Sequence, residues 1–429
     1  MSSQELYTVP YLTNTLYEPL EDLEKHLLAH QAQIERWLRL QWQETPAPFY
    51  ASMDLRNAGF KLTPIDTNLF PAGFNNLEPT TLPLCVQAVQ SALERLDIGA
   101  RGILLIPENH TRNLFYLESV ATLRDILQKA GYEVRIGSML PDLDIPKTFP
   151  LPSGQHVLLE PLIRQEHYVG VDNFNPHFVL LNNDLSLGRP PILEDVHQEI
   201  IPPLHVGWST RLKSKHFTYY SQVAKEFSQS IDIDPWLIDP LFRNCGEIDF
   251  MKKEGYACLA DNVEELLNAI QSKYDEYKVS HQPFVIVKAD AGSYGMGVMT
   301  IHSAKDIHEL NRKQRTRMSS TKEGRSIRRV ILQEGVYTFE TWNDAVAEPV
   351  VYTIDHFVVG GFYRVHTSRS NNENLNAPGM HFKPLAFTNS CIMPDLRQAP
   401  DACPNRFYAY GVIARLALLA AARELHQDK

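Results

Sequence analysis

The spacing of hydrophobic residues changes along the chain, and each spacing predicts a different element. Between 20 and 43, Leu23, Leu27, Leu28, Ile34, Trp37, Leu38 and Leu40 recur mostly at three- and four-residue steps, which predicts an amphipathic helix packed on a domain. Residues 101–107 read as a buried strand, 113–130 as a helix stopped by Gly131, and 132–136 as a second strand, which together make a β-α-β unit. Further short apolar runs at 156–159 and 177–181 extend this into an open α/β sheet with helices on its faces. Pro190, Pro191, Pro202 and Pro203 mark the expected boundary, which divides the chain into 1–205 and 206–429.

Beyond that boundary the pattern reads as α+β. A helix is predicted near 216–229 and another over 261–277 with Asp261 as N-cap. Strands follow at 284–288, 298–301, 329–333, 350–354 and 357–365, the last two joined by a hairpin-like Asp355-His356.

Composition narrows the class. With 44% hydrophobic and 21% charged residues, 429 residues build ordinary globular cores. The longest apolar stretch, 412–422, is interrupted by Arg415 and falls well short of the roughly 18 uninterrupted residues of a membrane span. No basic, apolar leader is read at residues 1–5, so a cytoplasmic location is expected. Five cysteines without a Cys-x-x-Cys pair argue against a disulfide framework or a zinc ribbon and for reduced, mostly structural thiols. The 41 basic and 51 acidic residues give −10, which disfavours nucleic acid and membrane as partners and leaves small-molecule substrates, with any anion site local. One run departs from this balance: 311–329 carries eight basic residues against Glu323, either a solvated helix end or a flap near a polyphosphate. Oligomeric state is not encoded in these patterns.

The densest chemical signal is 283–301, an apolar strand ending in Lys288, a loop with Gly292, Ser293, Tyr294, Gly295 and Gly297, and a second apolar strand. Glycines let successive backbone N–H groups face phosphate oxygens, and a strand lysine adds a fixed positive charge. A Walker loop or a dinucleotide fingerprint requires a helix after the glycines, and a protein kinase places its glycines before the lysine. Here the lysine comes first and a strand follows. Segment 330–336 is a strand running into Gly335, and Lys213 and Lys215 precede a helix. On the paired strands 348–352 and 360–364, Arg364 would face a phosphate being transferred, or else form a sheet-edge ion pair.

A second dense region, 53–76, sets Asp54, Arg56, Asn57, Lys61, Asp66, Asn68, Asn75 and Asn76 among glycines and prolines. Arg56 and Lys61 suit a carboxylate, and Asp54 or Asp66 an ammonium, the two ends of an amino acid. The alternative role for these residues is turn capping.

The strand, lysine and glycine hairpin resembles the ATP-grasp fold. Together with 53–76, the 106–113 segment and the 371–379 loop, the chain resembles the bacterial glutamate-cysteine ligase family of ATP-grasp type over nearly its whole length. The resemblance implies an N-terminal open α/β domain followed by an ATP-grasp domain, with ATP and Mg2+ as cofactors. It implies the first step of glutathione biosynthesis: formation of γ-glutamylcysteine through a γ-glutamyl phosphate, with L-glutamate, L-cysteine and ATP as substrates. It further implies that the backbone near Gln333, Glu334 and Val336 meets adenine, and that Lys215, Lys288 and Arg364 neutralise phosphate charge. The Glu-x-Asn usual on a late strand of that fold is missing, since no glutamate lies between Gly379 and Glu424. Glu348, Glu373 and Asn376 are therefore the metal candidates. Another ATP-grasp carboxylate-amine ligase, such as glutathione synthetase, and a non-catalytic nucleotide-binding protein remain as alternatives.

Overall fold

A segment that the sequence presents as charged and rich in glycine and proline forms the edge hairpin of an antiparallel sheet. The computed structural model describes residues 18–96, 101–292, 297–320, 326–385 and 406–427. In it, Tyr50–Asn57 pairs on one side with Leu62–Asn68 and on the other with Ala345–Ile354, in the register Met53↔Val351. Phe357–His366 and His381–Pro384 complete the order, and Thr341–Trp342 pairs off to the side. Strand alternation explains why polar residues are tolerated here: Met53 and Leu55 enter the core while Asp54 and Arg56 share the opposite face.

The helix Arg406–Gln427 packs on this sheet and on the helix Lys213–Ile231. Every residue from Tyr408 to Ala422 is buried, which accounts for an apolar run with no polar face. Arg415, inside that run, reaches Glu35 at 2.7 Å. Among the described residues no helix is long and apolar enough to cross a membrane. At its far end Glu424 pairs with Arg211 at 2.9 Å, and Arg211 also donates to the carbonyl of Thr67 at 2.6 Å. This buried bridge ties the last helix to the edge hairpin.

The β-α-β unit forms as expected: Gly102–Pro107, the helix Leu114–Lys129 and Glu133–Ser138, with Asn113 capping the helix by accepting from Tyr116 N. These strands join Glu199–Ile201, Phe178–Asn182 and His156–Pro161 in parallel, with Lys147–Pro150 antiparallel at one edge. A four-stranded antiparallel sheet runs in the order Phe242–Glu247, Arg329–Glu334, Val285–Ala289, Val298–Ile301.

Three expectations are corrected. The helix read over 20–43 is two helices, Glu18–Ala29 and Gln31–Glu44. The helix read from Asp261 begins at Tyr256 after Gly255, whose φ of 81° suits glycine, so Asp261 lies inside the helix and not at its cap. A linear division at 205/206 does not follow the sheets, because strands from 50–68 and 341–384 share one ladder. The architecture is mixed α/β with several sheets.

Candidate active site

Three of the four sheets among the described residues deliver residues to one cleft with two adjoining cavities. In Val285–Ala289 the alternation sends Val285, Val287 and Ala289 into the core and Ile286 and Lys288 to the cleft. Lys288 Nζ donates to Gln333 Oε1 at 2.5 Å, on the neighbouring strand, and to Ile65 O at 2.9 Å, on the edge hairpin. An ammonium only donates, so Gln333 turns its oxygen to Lys288 and its Nε2 is left without a partner, although the residue is 1% exposed.

The loop after Lys288 is fastened to a helix. Asp290 accepts from Ser214 N and from Ser214 Oγ, both at 2.8 Å, which places a carboxylate at the N-terminus of Lys213–Ile231. Gly292 N donates to Trp208 O at 2.9 Å with φ 111°, a backbone conformation that favours glycine. At Gly297, φ is 64° and a Cβ would meet the Ile327 side chain at 2.6 Å. Ser293, Tyr294 and Gly295 lie outside the described residues.

The helix start brings Lys213 to the cleft. Its Nζ lies 3.2 Å from Asp66 and 3.6 Å from the centre of the Trp208 ring. Lys215, two residues on, does not line either cavity, because a helix turns about 200° over two residues. Of the two lysines it is thus Lys213, and not the expected Lys215, that the helix brings to the cleft. The signal was present in the sequence: Lys213, Phe217, Tyr220, Ala224, Phe227 and Ile231 share one helical face, and all are buried.

At the junction of the two cavities stand Asp54, Asp66, Arg364 and Asn376, which line both. Arg364 donates to Asp54 at 2.8 Å and to Glu348 at 2.5 Å, while its Nε is buried without a partner. Burial disfavours the charged form of both the Asp54 and the Asp66 carboxyl, and their cationic neighbours decide the outcome. Burial raises Asp54 above the usual carboxylate range against the pull of Arg364. Burial also opposes ionisation of Asp66, but Lys213 and Lys288 together bring that carboxyl below its usual range. Lys288 is pushed down to about 8, first by burial, with Asp66 opposing and Lys213 and Arg56 adding to the shift.

Several candidates are brought near the cleft but are spent on structure. Arg56 lines the first cavity, yet it donates to Glu348 at 3.0 Å, to Val336 O at 3.0 Å and to the carbonyl of Glu373, so it holds the 371–376 loop and has little left for a carboxylate. Lys61 is 0% exposed, 2.6 Å from Glu334 and 4.4 Å from the Trp236 ring centre; it belongs to the core. Asn57 is buried too, donating to Glu340 at 3.2 Å and accepting from Gly59 N. The hinge backbone is also engaged: Glu334 N donates to Leu241 O, Gly335 N to Phe284 O, and Val336 O accepts from Arg56. What this stretch offers the cavity is the Gln333 amide, Glu334 and the Val336 wall.

The second cavity takes Asn68, Asn75 and Asn76 from the 53–76 region. Around them stand groups that the sequence reading did not select: Glu108, His110, Asn113, Asn182, Asp184 and Trp208, with Tyr352 and Phe362 as apolar walls. Asp184 N donates to Glu108 Oε1 at 2.6 Å, joining two loops of the parallel sheet at its rim. These loops follow the carboxyl ends of parallel strands, where open α/β sheets place ligands.

The metal candidates do not assemble. Both Glu348 oxygens accept from arginines, and both Glu373 oxygens accept from Arg369 or Ser370. Among the described residues no group of three or more His, Cys, Asp or Glu is placed to hold a metal ion. Asn376 alone of the three has a place on both cavities. This donor set does not fit a resident magnesium ion.

The comparisons bear on what the cleft serves. The profile described as glutamate-cysteine ligase matches residues 24–425. A crystal structure from Methylobacillus flagellatus KT, provisionally described as a gamma-glutamylcysteine synthetase, is 60% identical, with a TM-score of 0.91 over 98% of this chain and 99% of that one. A glutathione synthetase-like effector from Globodera pallida (10% identity, TM-score 0.36, 82% of this chain and 80% of that one) shows a much slighter likeness. So does D-alanyl-alanine synthetase A from Vibrio cholerae O1 biovar eltor strain N16961 (10%, 0.33, 73% and 80%), and at such scores too little superposes to compare folds. The comparison with curated proteins found no match.

Proposed function

The chain belongs to the glutamate-cysteine ligase family, and from that membership we propose a division of labour in which the first cavity takes ATP and the second the amino acids. The enzyme is an ATP-dependent ligase that forms γ-glutamylcysteine, the first step of glutathione biosynthesis. The four-stranded sheet with its lysine and glycine hairpin is the part we read as ATP-grasp.

The observation that carries the assignment is the junction, where Arg364, Asp54 and Asp66 line both cavities while Lys213 and Lys288 line the first cavity alone. A carboxylate is a poor acylating group because its leaving oxygen is strongly basic. Phosphorylation replaces that oxygen with one that leaves easily. An oxygen of the glutamate side-chain carboxylate attacks the terminal phosphorus of ATP, the bond to ADP breaks, and an acyl phosphate results. The cysteine amine then attacks the acyl carbon, phosphate leaves, and the amine gives up a proton.

Such a reaction asks the protein mainly to align reactants and to balance charge. Lys213 and Lys288 meet the phosphates, Gln333 Nε2 offers a donor to the base, and Arg364 Nε offers one to the group in transfer. A magnesium ion would enter with ATP as part of that substrate and would supply further neutralisation of phosphate charge. Glu108 and Asp184 supply negative charge for an ammonium in the second cavity. Phosphate release from ATP should require glutamate and cysteine together. Equal release with glycine replacing cysteine, or with neither amino acid, would refute the substrate assignment.

A further inference from the structure

Two of the three described cysteines lie together, away from both cavities. Cys245 sits on the strand Phe242–Glu247 at 6% exposure and donates its S–H towards Cys258 Sγ at 4.0 Å. Cys258 is exposed in the first turn of the helix Tyr256–Glu276, and Asn262 Nδ2 donates to its sulfur at 3.3 Å. The outer sulfur thus faces solvent with the positive ends of two sets of dipoles against it, the arrangement of an attacking thiol. The inner sulfur is reachable from the outer one and not from solvent, the arrangement of a resolving thiol. Burial and the neighbouring Cys258 push the Cys245 thiol up to about 12, so it does not compete for the first attack.

The backbone between them can yield. Pairing with Arg329–Glu334 slips in register between Cys245 and Glu247, and the space beside Gly246 is open within 4 Å. Closing 4.0 Å to the roughly 2 Å of a disulfide draws this strand towards the helix. Three residues away, Phe242 pairs with Gln333, the residue that holds Lys288.

We propose that Cys258 and Cys245 form a thiol-disulfide exchange site for small disulfides such as cystine, and that its closure weakens ATP binding through the Phe242–Gln333 pair. The second part rests on the nucleotide reading given above. In the first step the Cys258 sulfur attacks one sulfur of the small disulfide. That S–S bond breaks, a mixed disulfide forms, and one small thiol leaves with the Cys258 proton. The Cys245 sulfur then attacks the Cys258 sulfur, expelling the second small thiol with the Cys245 proton. Two protein thiols are oxidised and one small disulfide is reduced to two thiols. Cystine is the oxidised form of the acceptor substrate, so the site reports when that acceptor is present in a form the ligase cannot use.

The test treats reduced full-length protein with cystine, blocks remaining thiols and maps unreduced peptides, with ATP affinity titrated before and after. The expected product is one cross-link, Cys245 to Cys258, removed by dithiothreitol, with the ATP dissociation constant raised severalfold while it is present. C245S should stop at a cysteinyl adduct on Cys258, C258S should form neither product, and both should keep their ATP affinity after treatment. No uptake of cystine, an adduct that does not advance, linkage through another cysteine, or a cross-link without change in ATP affinity would each overturn the proposal. Should the reduced protein not bind ATP, the nucleotide reading falls, and the peptide map still decides the exchange site.

Discussion

Arg364 and Asp54 face one another at 2.8 Å on the wall common to two cavities, on strands separated by 310 positions in the chain. Glu348 completes the set from the other side, with its second oxygen on Arg56. Two cations and two carboxylates therefore balance in a place with little water, where leaving any one unpaired is costly. Burial works against the charge on Arg364, and the carboxylates of Asp54 and Glu348 more than offset it, raising the guanidinium above its ordinary range.

Replacing Arg364 by lysine keeps the charge but loses the planar fork that spans Asp54 and Glu348. Arg364→Lys should retain the fold by circular dichroism and lose about a hundredfold or more in turnover, the usual scale for one charge-stabilising donor. Turnover near wild type would remove Arg364 from the transfer step.

Lys213 and Lys215 separate two readings of one helix. Lys213→Ala should raise the ATP requirement at least tenfold, whereas Lys215→Ala should leave it within a factor of two, both read from phosphate release against ATP concentration. The reverse order would return the phosphate ligand to the outer face of the helix.

The proton on Lys288 should govern nucleotide affinity in mildly alkaline solution. In the empty cleft its pKa is about 8, and a bound triphosphate favours the charged form. As pH rises through 8 the empty site loses this charge, so ATP affinity should fall and binding should take up a proton. Calorimetry in two buffers of different ionisation enthalpy reads that uptake directly, and Lys288→Met should abolish it. The same shift sets a stability trend. Between about 8 and the unfolded value of 10.5 the unfolded chain holds more protons, so the cost of burying Lys288 fades as pH rises across that window.

The Glu424–Arg211 bridge should dominate acid sensitivity at the C-terminal helix. Arg211 and the His216 contact overcome the effect of burial and hold the Glu424 carboxyl down to about 2. Its folded value lies below its unfolded one, so its contribution is complete above about 4.5 and is lost as pH falls towards 2. Glu424→Ala should cost about 3 kcal/mol at pH 7 in denaturant unfolding, because it strands a buried arginine. That difference should shrink as acid neutralises the wild-type carboxyl.

Much of this cleft was readable from local order. Lys288, Gly292 and Gly297 announce themselves because a strand, a lysine and a glycine turn are contiguous, and contiguity is what a sequence displays. The ion pairs of Arg56 and Lys61 are illegible for the opposite reason: their partners, Glu348 and Glu334, lie 292 and 273 residues away, and nothing near them signals a pair. The hairpin at 50–68 escaped notice because its outer face carries Asp54, Arg56 and Asp66, which mimic a loop unless the partner strand is known. Asp184 and Asn182 sit at the end of an apolar strand whose role as a cleft wall depends on the arrangement of the parallel sheet.

The insertion of the Tyr50–Asn57 strand between Leu62–Asn68 and Ala345–Ile354 bears on biosynthesis. During translation the early hairpin emerges long before its neighbour and must wait with one hydrogen-bonding edge open, a template for unwanted pairing. Its acids and arginine, whose partners are not yet made, keep the hairpin hydrated in the interval. The cleft consequently cannot assemble on a nascent chain until the strand at 345–354 has left the ribosome.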